Sequence, residues 1–172
     1  MKKEDHFLLT FSISLYIYYF LFKDLKYLLI GSILTAFFSW LPDLDIKVLK
    51  KIEKIKKKKR IVYYLLFPCF YLIKKLLKHR GLTHSIYFPI FLIYLDYITE
   101  DFLVSFFLKT LYLSILLHIL EDSLTKTGVS IVYPLNFKFK IPIFSTNNNI
   151  HSFLIKIKAF LFIIIFLFFV KI

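Results

Sequence analysis

The stretch LVSFFLKTLYLSILLHIL, residues 103–120, is almost wholly apolar and contains one charged side chain, that of Lys109. A helix needs about 17–25 residues to cross roughly 30 Å of hydrocarbon, and this stretch has that length. Three further apolar stretches reach or approach the same length: Phe7–Phe22, Leu25–Leu41 and Phe153–Val170. The pattern predicts an all-α protein whose helices cross a membrane.

The composition excludes a soluble globular protein. Of the 172 residues, 59% are hydrophobic and 20% are aromatic, and the mean hydropathy is +0.71. A soluble domain of this size could not bury so much apolar surface, because a small globule keeps a large share of its residues at the surface. The length suits one domain, so we predict that residues 1–172 form a single membrane-embedded helical domain.

Two other apolar stretches are ambiguous. Ser85–Ile98 has the length of a short crossing and a proline near its start, which membrane helices tolerate. Ile61–Leu77 is broken by Pro68 and by two lysines, so it could be a crossing, a re-entrant segment or an interfacial helix. The expected architecture is a polytopic transmembrane bundle of about five membrane helices plus this one segment.

Five crossings bring the polar clusters of the chain to one face of the membrane, because each cluster lies at a helix end. If Ile61–Leu77 also crossed, the bilayer would separate His79 and His84 from Asp43 and Asp45. The five-helix topology is therefore favoured. The clusters are His6, PDLD at 42–45, HRGLTH at 79–84, HILED at 118–122 and His151.

The basic residues predict which face this is. The formal net charge is +13, and all 24 lysines and arginines except Lys23, Lys26, Lys109 and Lys171 lie on the side of the polar clusters. Cytoplasmic segments of membrane proteins carry an excess of Lys and Arg. We therefore expect a multi-pass protein of the inner, or plasma, membrane with its clusters facing the cytoplasm.

The densest basic sequence, KKIEKIKKKKR at Lys50–Arg60, becomes a lysine-rich cytoplasmic loop in this topology. Such a segment attracts anionic lipid, so membrane lipids are the expected partners, although a topology signal alone is the alternative. Lysines that flank bilayer segments account for the positive charge, and nucleic acid is not an expected partner.

The polar clusters contain residue types that bind metal ions. His118 and Asp122 are four residues apart, so they share one face of a helix and can share a metal ion. The alternative is a solvated helix end with a hydrogen bond between the two. Asp43 and Asp45 follow a proline that ends the preceding helix, so one could bind metal while the other braces the site. The alternative is a polar turn or the N-cap of the next helix.

The HRGLTHS sequence at residues 79–85 adds two imidazoles, His79 and His84, separated by a glycine that permits a sharp turn. Arg80 carries a forked set of donors that suits a phosphate or another oxyanion. The alternative is an interfacial loop whose basic residues meet lipid headgroups. Imidazole and carboxylate ligands without cysteine suit catalytic zinc, with manganese and iron(II) as alternatives.

The order and spacing of three motifs resemble a known family. WLPDLD at 40–45, HRGLTHS at 79–85 and HILEDSLTKTGVSIVYP at 118–134 resemble the prokaryotic membrane-bound proteins described as metal-dependent hydrolases. The bacterial representative of that family is a LexA-regulated inner-membrane protein. The resemblance implies a helical membrane protein with a His/Asp metal site, more distantly similar to zinc-dependent phospholipase C and P1-type nucleases.

Carried over by position, the resemblance implies seven metal ligands, and more than four candidate ligands leave room for two or three metal ions. The family often has an acidic residue where this chain has STNNNIHS, so the resemblance gives His151 no role. The implied ligands are His6, Asp43, Asp45, His79, His84, His118 and Asp122.

The resulting hypothesis is a membrane-bound metal-dependent hydrolase that uses a metal-activated water on a phosphoester or phospholipid-like substrate. Arg80 would hold the oxyanion, and Asp45 or Asp43 would act as general base. The first alternative is a non-catalytic membrane protein with a structural metal site at its cytoplasmic helix ends. A metal-ion carrier is disfavoured because the ligands lie at one face rather than at mid-membrane.

Overall fold

A computed structural model describes residues 3–76, 82–133, 135, 137–143 and 149–170. In this part of the chain the fold is an all-α bundle, as predicted, with one short 3₁₀ turn at Leu82–His84 and one two-residue antiparallel ribbon. The helices are α1 (Lys3–Phe22), α2 (Leu25–Phe38), α3 (Leu44–Lys58), α4 (Arg60–Leu65), α5 (Phe67–Leu76), α6 (Tyr87–Tyr97), α7 (Phe102–Ser123) and α8 (Asn149–Val170). The ribbon pairs β1 (Val129–Ser130) with β2 (Lys138–Phe139).

Within the described residues, α1, α7 and α8 are long and apolar enough to cross a membrane. The other two predicted crossings are also helical, but α2 has 14 residues and α6 has 11, so each is shorter than a usual crossing. α2 ends early because the chain enters a series of turns ahead of Pro42. The amide of Leu41 donates to the carbonyl of Phe38 at 2.9 Å, and that of Asp43 donates to Trp40 at 3.2 Å.

α1 lies at the centre of the bundle and packs against α2, α7 and α8. Tyr18 of α1 is fully buried, and its hydroxyl lies 3.0 Å from the hydroxyl of Thr35 on α2. A β-carbon at Gly31 would lie 2.7 Å from the Tyr18 ring, so only glycine lets the two helices approach this closely. The aromatic cluster around Tyr18 closes the end of the bundle away from His6. Its buried members are Leu15, Tyr18, Leu28, Phe106 and Phe166.

Large apolar side chains cover much of the outer surface. Phe168 of α8 is 81% exposed and Leu103 of α7 is 69% exposed. A soluble protein rarely leaves an apolar surface of this extent in water. Together with the three long apolar helices, this surface identifies a membrane protein whose outer face contacts lipid.

The described residues between α2 and α6 are mostly helical and form several separate helices. The lysine-rich segment Lys50–Arg60 is mostly part of α3, a helix rather than an irregular loop. The apolar residues Val48, Leu49, Ile52 and Ile55 recur at helical spacing, and the lysines occupy the positions between them. Ile52 on this face is buried. The break between α4 and α5 precedes Pro68, which lies in the first turn of α5, where proline is tolerated. Neither α4 nor α5 is long enough to cross a bilayer.

The chain after α7 folds back over the end of that helix. The amide of Ile141 donates to the carbonyl of Ser123 at 2.7 Å, and the amide of Ile86 donates to the carbonyl of Ile131 at 2.9 Å. The second bond fastens the start of α6 to the loop that follows α7. The residues just before α6 are therefore held against the last turn of α7.

Candidate metal centre

Five of the predicted ligands come together where four parts of the chain meet. His6 comes from the first turn of α1, Asp43 from the turn after α2, His84 from the 3₁₀ turn, and His118 and Asp122 from the last turns of α7. Two groups of three offer ligand atoms that all lie within 4.8 Å of one another: His6, His118 and Asp122, and Asp43, His84 and His118. All three imidazoles and Asp122 are buried, and the side chain of Asp43 is 25% exposed.

The distances suit ligands of a common ion. Nε2 of His84 lies 3.3 Å from Nε2 of His118, and both lie 3.8–3.9 Å from Oδ1 of Asp43 and 3.9 Å from Oδ2 of Asp122. Ligand atoms about 2.0–2.2 Å from a tetrahedrally coordinated zinc ion lie roughly 3.3–3.6 Å from one another. A small inward shift would bring these four atoms to that spacing, so the residues present fit a metal ion.

The other nitrogen of each imidazole points away from this cluster. Nδ1 of His6 lies 2.5 Å from Oε2 of Glu121, and Nδ1 of His84 lies 3.2 Å from the hydroxyl of Thr83. Nδ1 of His118 is buried beside the backbone of Ser39 and makes no hydrogen bond within the described residues. Metal-binding histidines usually hold their second nitrogen as His6 and His84 do, which orients the ring so that Nε2 can bind.

Glu121 is the residue that the sequence analysis missed. It is fully buried, and its two oxygens contact different residues of α1: Oε2 contacts His6, and Oε1 accepts a hydrogen bond from Thr10 at 2.8 Å. His6 and Thr10 are four residues apart and so share a face of α1. The signal in the sequence is a carboxylate beside Asp122 at the end of an apolar helix, where a charge is costly unless it has a partner.

The geometry bears on two of the simpler alternatives. Asp43 occupies the N-cap position of α3 but makes no capping bond with its side chain, and its carboxylate faces His84 and His118 instead. Nε2 of His118 and Oδ2 of Asp122 are 3.9 Å apart, which is too long for a hydrogen bond, and both residues are buried. Neither a capped turn nor a solvated His–Asp pair describes these side chains.

The structure does not describe the side chains of three other predicted residues. His79 and Arg80 lie outside the described residues, as does the side chain of Asp45. His151, in the first turn of α8, belongs to neither of the two three-residue groups. Its neighbour Ser152 donates to Oδ1 of the buried Asp5 at 2.7 Å and so ties α8 to the start of α1.

The motif that follows His118 has a structural explanation. The hydroxyl of Thr125 donates to the carbonyl of Asp122 at 2.7 Å and caps the end of α7. Gly128 has a φ of +63°, and a β-carbon there would lie 2.7 Å from the carbonyl oxygen of Phe139. Val129 is 1% exposed and packs with residues of α6 and α7. These residues hold the loop that positions His84 against α7.

Comparison with family models gives a match over the whole chain. The family model described as YdjM inner membrane protein matches residues 1–172, which is the whole chain. Neither the curated proteins nor the solved structures contain a match. A match over the full length, to a family of inner-membrane proteins, agrees with the long apolar helices and the lipid-facing surface. The chain belongs to the YdjM inner membrane protein family.

Proposed function

We propose that this protein is a membrane-bound metal-dependent hydrolase that acts on a phosphoester group of an amphiphilic substrate. The observation that carries the proposal is the convergence of two buried imidazole nitrogens, from His84 and His118, on carboxylate oxygens of Asp43 and Asp122 at 3.3–3.9 Å. Imidazole and carboxylate sets without cysteine are typical of catalytic rather than structural zinc sites. Manganese and iron(II) accept the same ligands.

The metal, when bound, would lower the pKa of a water molecule and polarise a phosphoryl oxygen. His84, His118 and Asp122 would hold it, because their ligand atoms are buried and face one another, which leaves a position open for water. Asp43 is the most exposed member of the cluster, so it is the carboxylate best placed to accept a proton from an incoming water. Asp45 and Arg80 remain the candidates for a second base and for an oxyanion partner.

Two ions are proposed in preference to one. The carboxylate of Asp122 faces two sets of imidazoles: Oδ1 lies 3.6 Å from Nε2 of His6, and Oδ2 lies 3.9 Å from Nε2 of His84 and of His118. Asp122 would therefore help to hold both ions, and paired ions are common in phosphoester hydrolysis. The ion on the His6 side would need further ligands, for which Asp45 and His79 are the candidates.

The site is proposed to face the cytoplasm. Glu4 at the start of α1 forms an ion pair of 3.0 Å with Lys156 of α8, so this lysine lies at the same end of the bundle as His6. The lysine-rich α3 follows directly from Asp43 and adds to the positive charge at that end. An excess of positive charge marks the cytoplasmic side of a membrane protein.

The rival function is a non-catalytic membrane protein in which a metal ion only braces the helix ends. Four parts of the chain meet at the site, so a structural ion there would join α1, α2, α6 and α7. A structural site has all its metal positions filled by protein and binds no substrate, whereas a catalytic site keeps one position open. Hydrolysis and metal content therefore have to be measured on the same preparation.

The test uses detergent-purified protein reconstituted with zinc or manganese, beside the variants His118→Ala and His151→Ala. His118 belongs to both three-residue groups, so we expect its variant to lose bound metal and hydrolysis of 4-nitrophenyl phosphodiesters together. His151→Ala is the matched control and should behave as the parent. Elemental analysis gives the metal content, and released nitrophenolate gives the rate.

Two results would count against this function. A parent that binds metal, loses it in His118→Ala and hydrolyses no phosphoester would indicate the structural role. A parent and a folded His118→Ala variant that both lack metal after reconstitution would remove the metal centre itself.

Anionic lipid is proposed as the partner of α3. Between α3 and α4 lies an open cleft of about 630 Å³, with three basic residues, Lys56, Lys57 and Arg60, and with Glu53 and Tyr64 on its walls. The three basic side chains are exposed. A basic segment near a membrane surface gains about 1 kcal/mol for each Lys or Arg in contact with anionic lipid. The cleft therefore suits a headgroup with a negative phosphate.

We expect the variant Lys56→Gln, Lys57→Gln, Arg60→Gln to bind phosphatidylglycerol about 100-fold more weakly, because three contacts of about 1 kcal/mol are lost. The variant Lys138→Gln, Lys140→Gln removes exposed charge from the ribbon after α7 and serves as the control. Native mass spectrometry in phosphatidylglycerol and phosphatidylcholine nanodiscs measures the bound lipid. Equal phosphatidylglycerol retention by parent and triple variant would contradict the assignment.

A further inference from the structure

A groove opens between α1 and α2 beside the candidate metal centre. Its volume is about 550 Å³, which is within the range of about 300–1,000 Å³ usual for ligand sites. Its apolar part is lined by Phe7 and Leu8 of α1, by Ala36 of α2, and by Trp40 in the turn that follows α2. The side chains of Lys3 and Glu4 stand at its polar end.

The groove and the metal centre share parts of the chain. His6 lies between Glu4 and Phe7 in α1, and its Nε2 is 3.6 Å from Oδ1 of Asp122. Ser39, which also lines the groove, has its backbone beside the ring of His118. A molecule in the groove would therefore have one end next to the ligand cluster.

Two of the polar side chains that line the groove already have partners within the protein. The hydroxyl of Ser39 is already donated to the carbonyl of Ala36 at 2.7 Å, so it is turned inward. Glu4 is engaged in the ion pair with Lys156 at 3.0 Å. Phe7 is 40% exposed, and the rim of Trp40 packs edge-on against Phe37 with ring centroids 6.1 Å apart. These surfaces favour a hydrocarbon chain.

We propose that this groove holds one acyl or alkyl chain of a membrane amphiphile and places its phosphoryl group at the ligand cluster. The inference rests on the proposed hydrolase function and specifies its substrate class: a single-chain-anchored phosphoester taken sideways from the bilayer. α1 is long enough to cross the membrane and α2 packs along it, so a chain can enter between them from the hydrocarbon. Lys3 at the polar end supplies a positive charge for the phosphate.

The first test reads binding without turnover, because Trp40 is the single tryptophan of the chain and lines the groove. Nanodisc-embedded protein is titrated with 11,12-dibromododecyl phosphate, whose bromines quench tryptophan fluorescence. We expect saturable quenching in the parent and about tenfold weaker binding in Ala36→Met, which puts a longer side chain into the groove. Ile33→Met, on the exposed face of the same helix and outside the groove, should bind as the parent.

Quenching that rises linearly with the amphiphile and is equal in all three proteins would overturn the groove assignment, since Trp40 would then merely face bulk lipid. A variant that fails to fold is recognised by its elution in size-exclusion chromatography, and Leu8→Phe then replaces Ala36→Met as the groove-filling change.

The second test separates the groove from the catalysis. Hydrolysis of 4-nitrophenyl dodecyl phosphate and of 4-nitrophenyl methyl phosphate is compared. In both, water forms the new P–O bond, nitrophenolate leaves, and a proton is released. Ala36→Met should raise KM about tenfold for the dodecyl ester only. Equal effects on both esters would refute the groove and leave the hydrolase intact, whereas no hydrolysis of either ester beside saturable quenching would refute the hydrolase and leave the groove.

Discussion

The variant Asp122→Asn is expected to lose metal-dependent stabilisation altogether. Its parent residue faces both halves of the site, with Oδ1 toward His6 and Oδ2 toward His84 and His118. Asparagine has nearly the same shape but replaces one carboxylate oxygen by an amide NH₂, which cannot bind a cation. Losing a residue that only supports a ligand typically costs 10–100-fold in metal affinity, so losing a shared ligand should cost more than about 100-fold.

The measurement is thermal unfolding in detergent, with zinc and with a chelator. A ligand at 100 times its Kd stabilises a protein by about 2.7 kcal/mol, so zinc should raise the Tm of the parent by several degrees. Asp122→Asn should unfold at the same temperature in both conditions. Without metal, the variant should be no less stable than the parent. Asp122 and Glu121 place two negative charges close together in a buried site, which is costly, and the substitution removes one of them.

Asp101→Asn is the matched control, since Asp101 is the exposed N-cap of the same helix and asparagine also caps well. It should keep the full response to zinc. A zinc response of the same size in Asp122→Asn and in the parent would show that Asp122 is not a ligand.

Much of the fold could be predicted from the lengths of the apolar stretches alone. Each of the five apolar stretches is helical in the structure, because in a lipid environment a backbone must satisfy its own hydrogen bonds. The ends of α2 and α6 were less predictable. The turns between Phe38 and Asp43 depend on successive backbone hydrogen bonds, which have no signature in the apolar pattern.

Lys109 shows what the sequence pattern leaves open. A lysine within an apolar run is expected to extend its side chain towards the membrane surface, but the pattern does not give its partner. In the structure its ammonium group forms an ion pair of 2.9 Å with Asp96 in the last turn of α6 and a hydrogen bond with Ser105. The pairing depends on how α6 and α7 pack, and the two residues are 13 positions apart in sequence. Tertiary packing, not the local pattern, decides where the charge goes.

The candidate site also contains residues that the sequence predicted and one residue, Glu121, that it did not. The spacing in sequence predicted that His118 and Asp122 share a helical face, and the five-crossing parity predicted that His6, Asp43 and His84 lie at the same end of the bundle. The structure has these five side chains together. Glu121 could not be predicted in this way, because its importance comes from contacts with α1, more than 100 positions away in sequence.

Glu121→Gln is the second change with a large expected effect. The carboxylate accepts the Nδ1–H of His6 and the hydroxyl of Thr10, so it holds the tautomer of His6 in which Nε2 can bind metal. A glutamine can present its NH₂ group to Nδ1 and so stabilise the opposite tautomer. In either orientation of its amide, glutamine also lacks the negative charge that makes the imidazole a stronger ligand. We expect metal affinity to fall about 10–100-fold.

The affinity is measured by competition with a chromophoric chelator, and the fold by elution in size-exclusion chromatography. Thr10→Val removes only one hydrogen bond to the same carboxylate and should have a smaller effect, while Glu100→Gln, an exposed residue just before α7, should have none. The decisive result is the order of the three metal affinities, with Glu121→Gln the weakest and Glu100→Gln equal to the parent. If Glu121→Gln and Glu100→Gln bind metal equally well, then His6 is oriented without Glu121, and the buried carboxylate serves only to join α1 to α7.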